Sequence, residues 1–153
     1  MRRAFLAILA LPLLLKAAEN GNRVHYIGGT VAGISHNCET LIDVRHEDVL
    51  ELRFGRNAGA TSIRVPYLEI ETVEYGLRVD RRYLEAVLIS PVFLLAKRRT
   101  HYLTIEYMAD GHRQAVVLQV DKADIRALLV SLEARTGKRI EYQDEDARRA
   151  GKG

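Results

Sequence analysis

The residues that invite a chemical reading lie early in the chain, at His36-Asn37-Cys38 with His46 a few positions on. Imidazole and thiolate are the usual soft ligands of a divalent metal, but a structural zinc site wants four, and no second pair at ligand spacing follows. Cys38 is the only cysteine, so the chain closes no internal disulfide. The thiol is read as a small buried residue. Ser35 and His36 are a nucleophile and a base side by side, yet a hydroxyl is activated by spatial geometry that adjacency does not supply. His46-Glu47-Asp48 gathers titratable groups between two strand-like stretches and reads as a turn. Gly28-Gly29-Thr30 lies within a strand-like stretch and precedes no helix, so it is no phosphate loop. No G-x-S-x-G, H-E-x-x-H, C-x-x-C or P-loop pattern occurs. The residues therefore predict neither an enzyme nor a bound cofactor or metal.

The elements that would position these groups are strands followed by one helix. The chain has 153 residues, 48% hydrophobic and 28% charged, which suits one domain with a buried core. Val24–Gly33 is β-branched and aromatic, with glycines that permit a bulge. Leu41–Arg45 and Val49–Phe54 alternate. Ile63–Tyr67 is a strand that Pro66 places at an end or edge, and Ile70–Tyr75 follows it. His101–Met108 and His112–Val120 are hairpin arms around Asp110-Gly111, a tight-turn pair. Ile125, Leu128, Leu129 and Leu132 then fall at i, i+3, i+4 and i+7, one apolar stripe of a helix. Asp121 is placed to cap that helix and Gly137 to stop it. Arg139–Tyr142 reads as a last short strand.

The N-terminus has the plan of a secretory signal peptide. Arg2 and Arg3 precede an apolar run from Ala4 to Leu15. As a helix that run spans about 18 Å, short of a hydrocarbon core of about 30 Å. The expected division is a signal peptide over 1–17, a linker over 18–23, one domain over 24–142 and a flexible charged tail over 143–153. The whole chain carries 23 Lys+Arg against 20 Asp+Glu. Arg2, Arg3 and Lys16 belong to the leader, so the mature balance is zero. That leaves a nucleic-acid partner without electrostatic support.

One segment resists a purely structural account. From Leu84 to Ala96, ten of thirteen side chains are hydrophobic, with Arg78, Arg81 and Arg82 before them and Lys97, Arg98 and Arg99 after. Pro91 interrupts any continuous helix or central strand. The run is too short to span a bilayer. Either it packs over the sheet as part of the core, or Val87, Leu88, Ile89, Val92, Phe93, Leu94 and Leu95 meet a membrane surface or a protein partner. In the second case the basic flanks would face anionic head groups, at about 1 kcal/mol each.

The order of elements resembles the pleckstrin-homology-like superfold, and within it the GRAM-type domains. The resemblance rests on Leu41–Val44, Leu50–Phe54, Ile63–Tyr67 running into Ile70–Tyr75, the His101–Ile105 arm and the Asp121–Gly137 helix. It covers about residues 24–142, judged by element order. The chain is also similar to small exported bacterial proteins that share a GGTV start (Gly28–Val31), a basic-HYLTI arm (Lys97–Ile105) and a LEARTGK ending (Leu132–Lys138); these carry no activity across. The resemblance implies a mainly β fold, a half-open barrel of about seven antiparallel strands closed by one C-terminal amphipathic helix. It implies binding of lipid, peptide or protein without catalysis. Ala32–Cys38, the first hairpin loop, holds no Lys or Arg, which removes the basis for inositol-phosphate binding. A small lipocalin-like barrel carrying an apolar ligand, and a small hydrolase, are the alternatives.

Overall fold

The computed structural model describes residues 21–56, 58–59, 62–79 and 100–152. Its strands are β1 (Asn22–Gly29), β2 (Cys38–Asp43), β3 (Val49–Phe54), β4 (Ser62–Pro66), β5 (Ile70–Gly76), β6 (His101–Ala109), β7 (His112–Val120) and β8 (Glu141–Tyr142). The helices are α1 (Ile125–Thr136) and α2 (Glu145–Lys152), and a 3₁₀ turn, Tyr67–Glu69, joins β4 to β5. One mixed, unclosed sheet results, in the order β4-β3-β2-β1-β7-β6-β5-β8. Every neighbour pair is antiparallel except β5–β8.

The short β4–β5 connection bends this sheet. Laid flat, the seven antiparallel strands would put β4 about 29 Å from β5, at roughly 4.8 Å per spacing. The step from Pro66 to Ile70 reaches at most about 14 Å. The ladder must therefore coil until its ends approach, and the coil gives it an inside. Leu50 and Leu52 of β3, Ile42 of β2, Tyr26 of β1, Val116 and Leu118 of β7 and Leu103 and Ile105 of β6 meet there with no solvent exposure. The period-2 pattern sets this, because a one-residue slip would turn each of them outward.

Asp110 (φ 50°) and Gly111 (φ 75°) form the tight turn between β6 and β7, with Ala109 paired to His112. Two successive positive φ values match the twist of an antiparallel pair, and Asp-Gly tolerates them. β1 bulges between Tyr26 and Gly28, within the glycine-bearing stretch. Pro66 ends β4, which pairs with β3 along one edge.

Helix α1 lays Ile125, Leu128, Leu129 and Leu132 against the inside of the sheet, each at most 3% exposed. Gly137 stops it in the left-handed region (φ 67°), its N–H donating to the Glu133 carbonyl. The N-terminus differs from the expected cap. Asp124 is the N-cap residue, without a side-chain bond, and it is the backbone carbonyl of Asp121 that accepts from Asp124 and Ile125. A turn preceding the helix supplies the acceptor, so the Asp121 carboxylate is not needed for capping.

Residues 143–153, expected as a flexible tail, contain α2. Asp144 Oδ1 accepts from the Ala147 N–H at 2.7 Å, a side-chain N-cap. Ala147 and Gly151 are buried, and Gly151 lies against the rings of Tyr75 and Tyr142. Just before it, β8 adds to β5 in parallel, covering an edge that would otherwise offer unpaired backbone groups. A smaller apolar cluster, Ile27, Val79 and Val117 with Tyr102 packed against it, lies apart from the main core.

Candidate functional site

The contact residues named from sequence, Arg81, Arg82, Val87, Leu88, Ile89, Val92, Phe93, Leu94, Leu95, Lys97, Arg98 and Arg99, lie outside the described residues, as does the leader over 1–17. Their attachment points are described. Gly76 of β5 and Tyr102 of β6 pair directly, so residues 77–101 are inserted into a hairpin. Such a hairpin commonly closes with about 2–5 residues, and connections beyond about 12–15 residues are uncommon and are either functional or linker segments. At the neck, Gln143 Nε2 donates to Glu74 Oε1 at 2.9 Å and to the Arg78 carbonyl at 3.0 Å. Val79 is buried beside Ile27 and Val117. A surface depression of about 430 Å³ opens here, and Glu74, Glu141 and Asp144 with Arg78 are among its lining residues.

The early chemical candidates are dispersed. Cys38 starts β2, while His46 lies beyond its other end. Six residues of strand separate those ends by about 20 Å, so His36, Cys38 and His46 form no ligand set. Ser35 is held by its backbone, its N–H donating to Ala58 O at 2.8 Å. His36 Nδ1 is buried with no hydrogen-bond partner, so that nitrogen is not paired with the Ser35 hydroxyl.

His46 instead meets two carboxylates that the β2–β3 register sets opposite each other, Asp43 and Glu51. Its Nε2 is 3.8 Å from Asp43 Oδ2 and 3.6 Å from Glu51 Oε2. One ligand atom from each residue lies within 4.8 Å of the others, a spacing that a divalent cation tolerates. The surroundings argue for a different role. Arg45 grips Asp43 with Nε at 3.0 Å and Nη2 at 2.9 Å, and its backbone N–H adds a third bond at 3.0 Å. Arg53 Nη2 is 3.5 Å from Asp43 Oδ2, and Arg64 Nε is 3.1 Å from Glu51 Oε1. Three guanidinium groups thus outweigh two carboxylates, and a metal would have to displace them against its own charge. The cluster is an ion-pair network that lets β2 and β3 carry facing acids. The Arg45 hydrogen bonds hold the Asp43 carboxyl down at about 2, against a smaller upward push from burial.

A second buried polar pair joins β5 to β6. His101, the first residue of β6, is 7% exposed, and Tyr75 is fully buried. The Tyr75 hydroxyl and His101 Nδ1 are hydrogen-bonded, with the rings nearly parallel at 11° and centroids 5.9 Å apart. Tyr142 of β8 meets the Tyr75 ring edge-on at 6.0 Å. Burial pushes the Tyr75 phenol up to about 12. Burial, helped by Lys122, pushes the His101 imidazole below its usual range. The phenol is thus the donor and Nδ1 the acceptor of a neutral imidazole. The sequence reading treats both only as sheet residues. Their meeting depends on the register Tyr75↔Leu103, which puts His101 on the same face one diagonal step away, and no local spacing signals it.

No family model, curated protein or solved structure matches the chain.

Proposed function

We propose that the chain is an exported, non-enzymatic binding or scaffolding domain of pleckstrin-homology-like fold. Its contact surface is the apolar segment 83–96, set between basic flanks and peripheral to a membrane. The observation that carries this reading is the insertion of residues 77–101 between paired positions of one hairpin. A connection of that length is not needed to turn the chain, and its composition, apolar between Arg81-Arg82 and Lys97-Arg98-Arg99, suits a surface with a greasy interior and anionic edges. The succession β4-β3-β2-β1-β7-β6-β5 with a helix after β7 supports the fold half of the proposal. The continuous cluster of buried side chains inside the sheet favours surface binding over carriage of an enclosed ligand. Among the described residues no helix is long and apolar enough to cross a membrane.

Vesicle co-sedimentation tests it. The mature protein should bind vesicles containing phosphatidylglycerol and bind phosphatidylcholine vesicles far less. A Val92→Asp, Leu94→Asp variant with an unchanged far-UV spectrum should bind about a hundredfold less, from the roughly 1.5–3 kcal/mol each apolar side chain contributes on burial. Equal binding by that folded variant refutes the proposal.

A further inference from the structure

The imidazole of His101 lies at a junction of elements. It begins β6 at the end of the inserted segment, and its described side-chain hydrogen bond is to Tyr75 of β5. Tyr75 in turn supports the C-terminal arm. Its ring meets Tyr142 of β8 edge-on, its backbone carbonyl accepts from the Gln143 N–H at 3.1 Å, and Gly151 of α2 sits against it. The arm is thus supported in part by the residue that His101 holds, alongside the Gln143 bonds to Glu74 and the Arg78 carbonyl. We propose that His101 is an acid-sensitive latch: protonating its ring loosens β8 and α2 from β5 while the rest of the sheet stays folded.

The charges around the pair set the direction. Lys122, in the β7–α1 connection, acts on His101, and Arg126 of α1 acts on Tyr75. Tyr142 faces Glu133 of α1 and Arg148 of α2. On β7, the residue opposite His101 is Val120, which brings no charge. A proton on buried His101 thus places a second cation near that of exposed Lys122. It also turns Nδ1 from acceptor to donor, so the Tyr75 hydroxyl loses the acceptor it had. On this proposal release of the arm admits water, and the imidazole then takes a proton at its ordinary value of 6.5. Release then binds a proton and is favoured as pH falls below 6.5. A ring that stays neutral in the latched state sets a ceiling of about 30-fold on the shift in the opening equilibrium at pH 5.

Hydrogen exchange of the full chain, read by mass spectrometry at pH 7.5 and 5 and corrected for the intrinsic rate at each pH, tests the latch. Protection over 141–152 should fall several-fold, up to that ceiling, while β2, β3 and α1 keep theirs. In His101→Phe the protection of the arm should not depend on pH. His101→Gln, which keeps an acceptor for the Tyr75 hydroxyl and cannot be protonated, should behave as His101→Phe does and covers the case in which the larger ring fails to fold. Constant protection of the arm in the wild type, a fall shared equally by the whole sheet, or a fall that persists in a folded variant would each overturn the proposal.

Discussion

Replacing Asp43 by Asn isolates the energetics of the β2–β3 ion-pair network. Asp43 is 2% exposed, and hydrogen bonds from Arg45 hold its carboxyl at about 2 against an ordinary 3.8. The folded state thus favours the ionised form by a difference of about 2 kcal/mol. Arg45 is 59% exposed, so water screens its side of the pair and the figure is an upper bound. Because the folded value is depressed, this stability is fully present above 3.8 and is lost as pH falls towards 2; about half should be gone at pH 3. Asp43→Asn keeps the shape and removes the charge. Urea unfolding followed by circular dichroism should place the variant up to about 2 kcal/mol below the wild type at pH 7, and the gap should narrow to about half as pH falls to 3. A gap that stays constant from pH 7 to 3, or no gap at pH 7, refutes the assignment of that stability to the ionised carboxylate.

Two further predictions concern the helices. Leu132→Ala removes a side chain of α1 with no exposure, and should cost about 2–5 kcal/mol in chemical denaturation; a loss under 1 kcal/mol would mean that α1 does not seal the core. Gly151→Val brings a Cβ to 2.7 Å of the Tyr142 ring and 3.1 Å of the Tyr75 ring. It should displace α2 and raise amide exchange over 145–152, with β2, β3 and α1 unaffected, and unchanged exchange in α2 would show that this contact does not hold the arm.

The parts of the fold legible in the sequence are those in which a local rule and the tertiary environment agree. The Ile125–Leu132 stripe and the Asp110-Gly111 turn state their roles within a few residues, and both occur as read. Helix α2 was not legible because it packs through Ala147 and Gly151, small side chains that make no apolar stripe; the Asp144 N-cap was the one local signal available. Strand β8 is two residues long and gains its place from the free edge of β5, which cannot be seen from Glu141-Tyr142 alone. The Asp43–Glu51 network was hidden for a related reason. Alternation assigns both acids to the solvent side, and only the strand register shows that they face each other, so that arginines from three places in the chain are drawn over them. His101 and Tyr75 likewise become a pair only through the β5–β6 register.

The pairing of β1 with β7, in which Val24 lies opposite Val120, has a kinetic consequence. These partners stand near opposite ends of the described chain, whereas β2–β3, β3–β4 and β6–β7 join neighbours in sequence. Two locally built meanders can therefore form early, but zipping them together must wait for a large loop to close, and sheets dominated by such remote partnerships fold in about milliseconds to seconds. During synthesis the first strand emerges long before its second neighbour exists, so the chain passes through an extended interval with an unsatisfied central strand, the stage at which it is most exposed to aggregation.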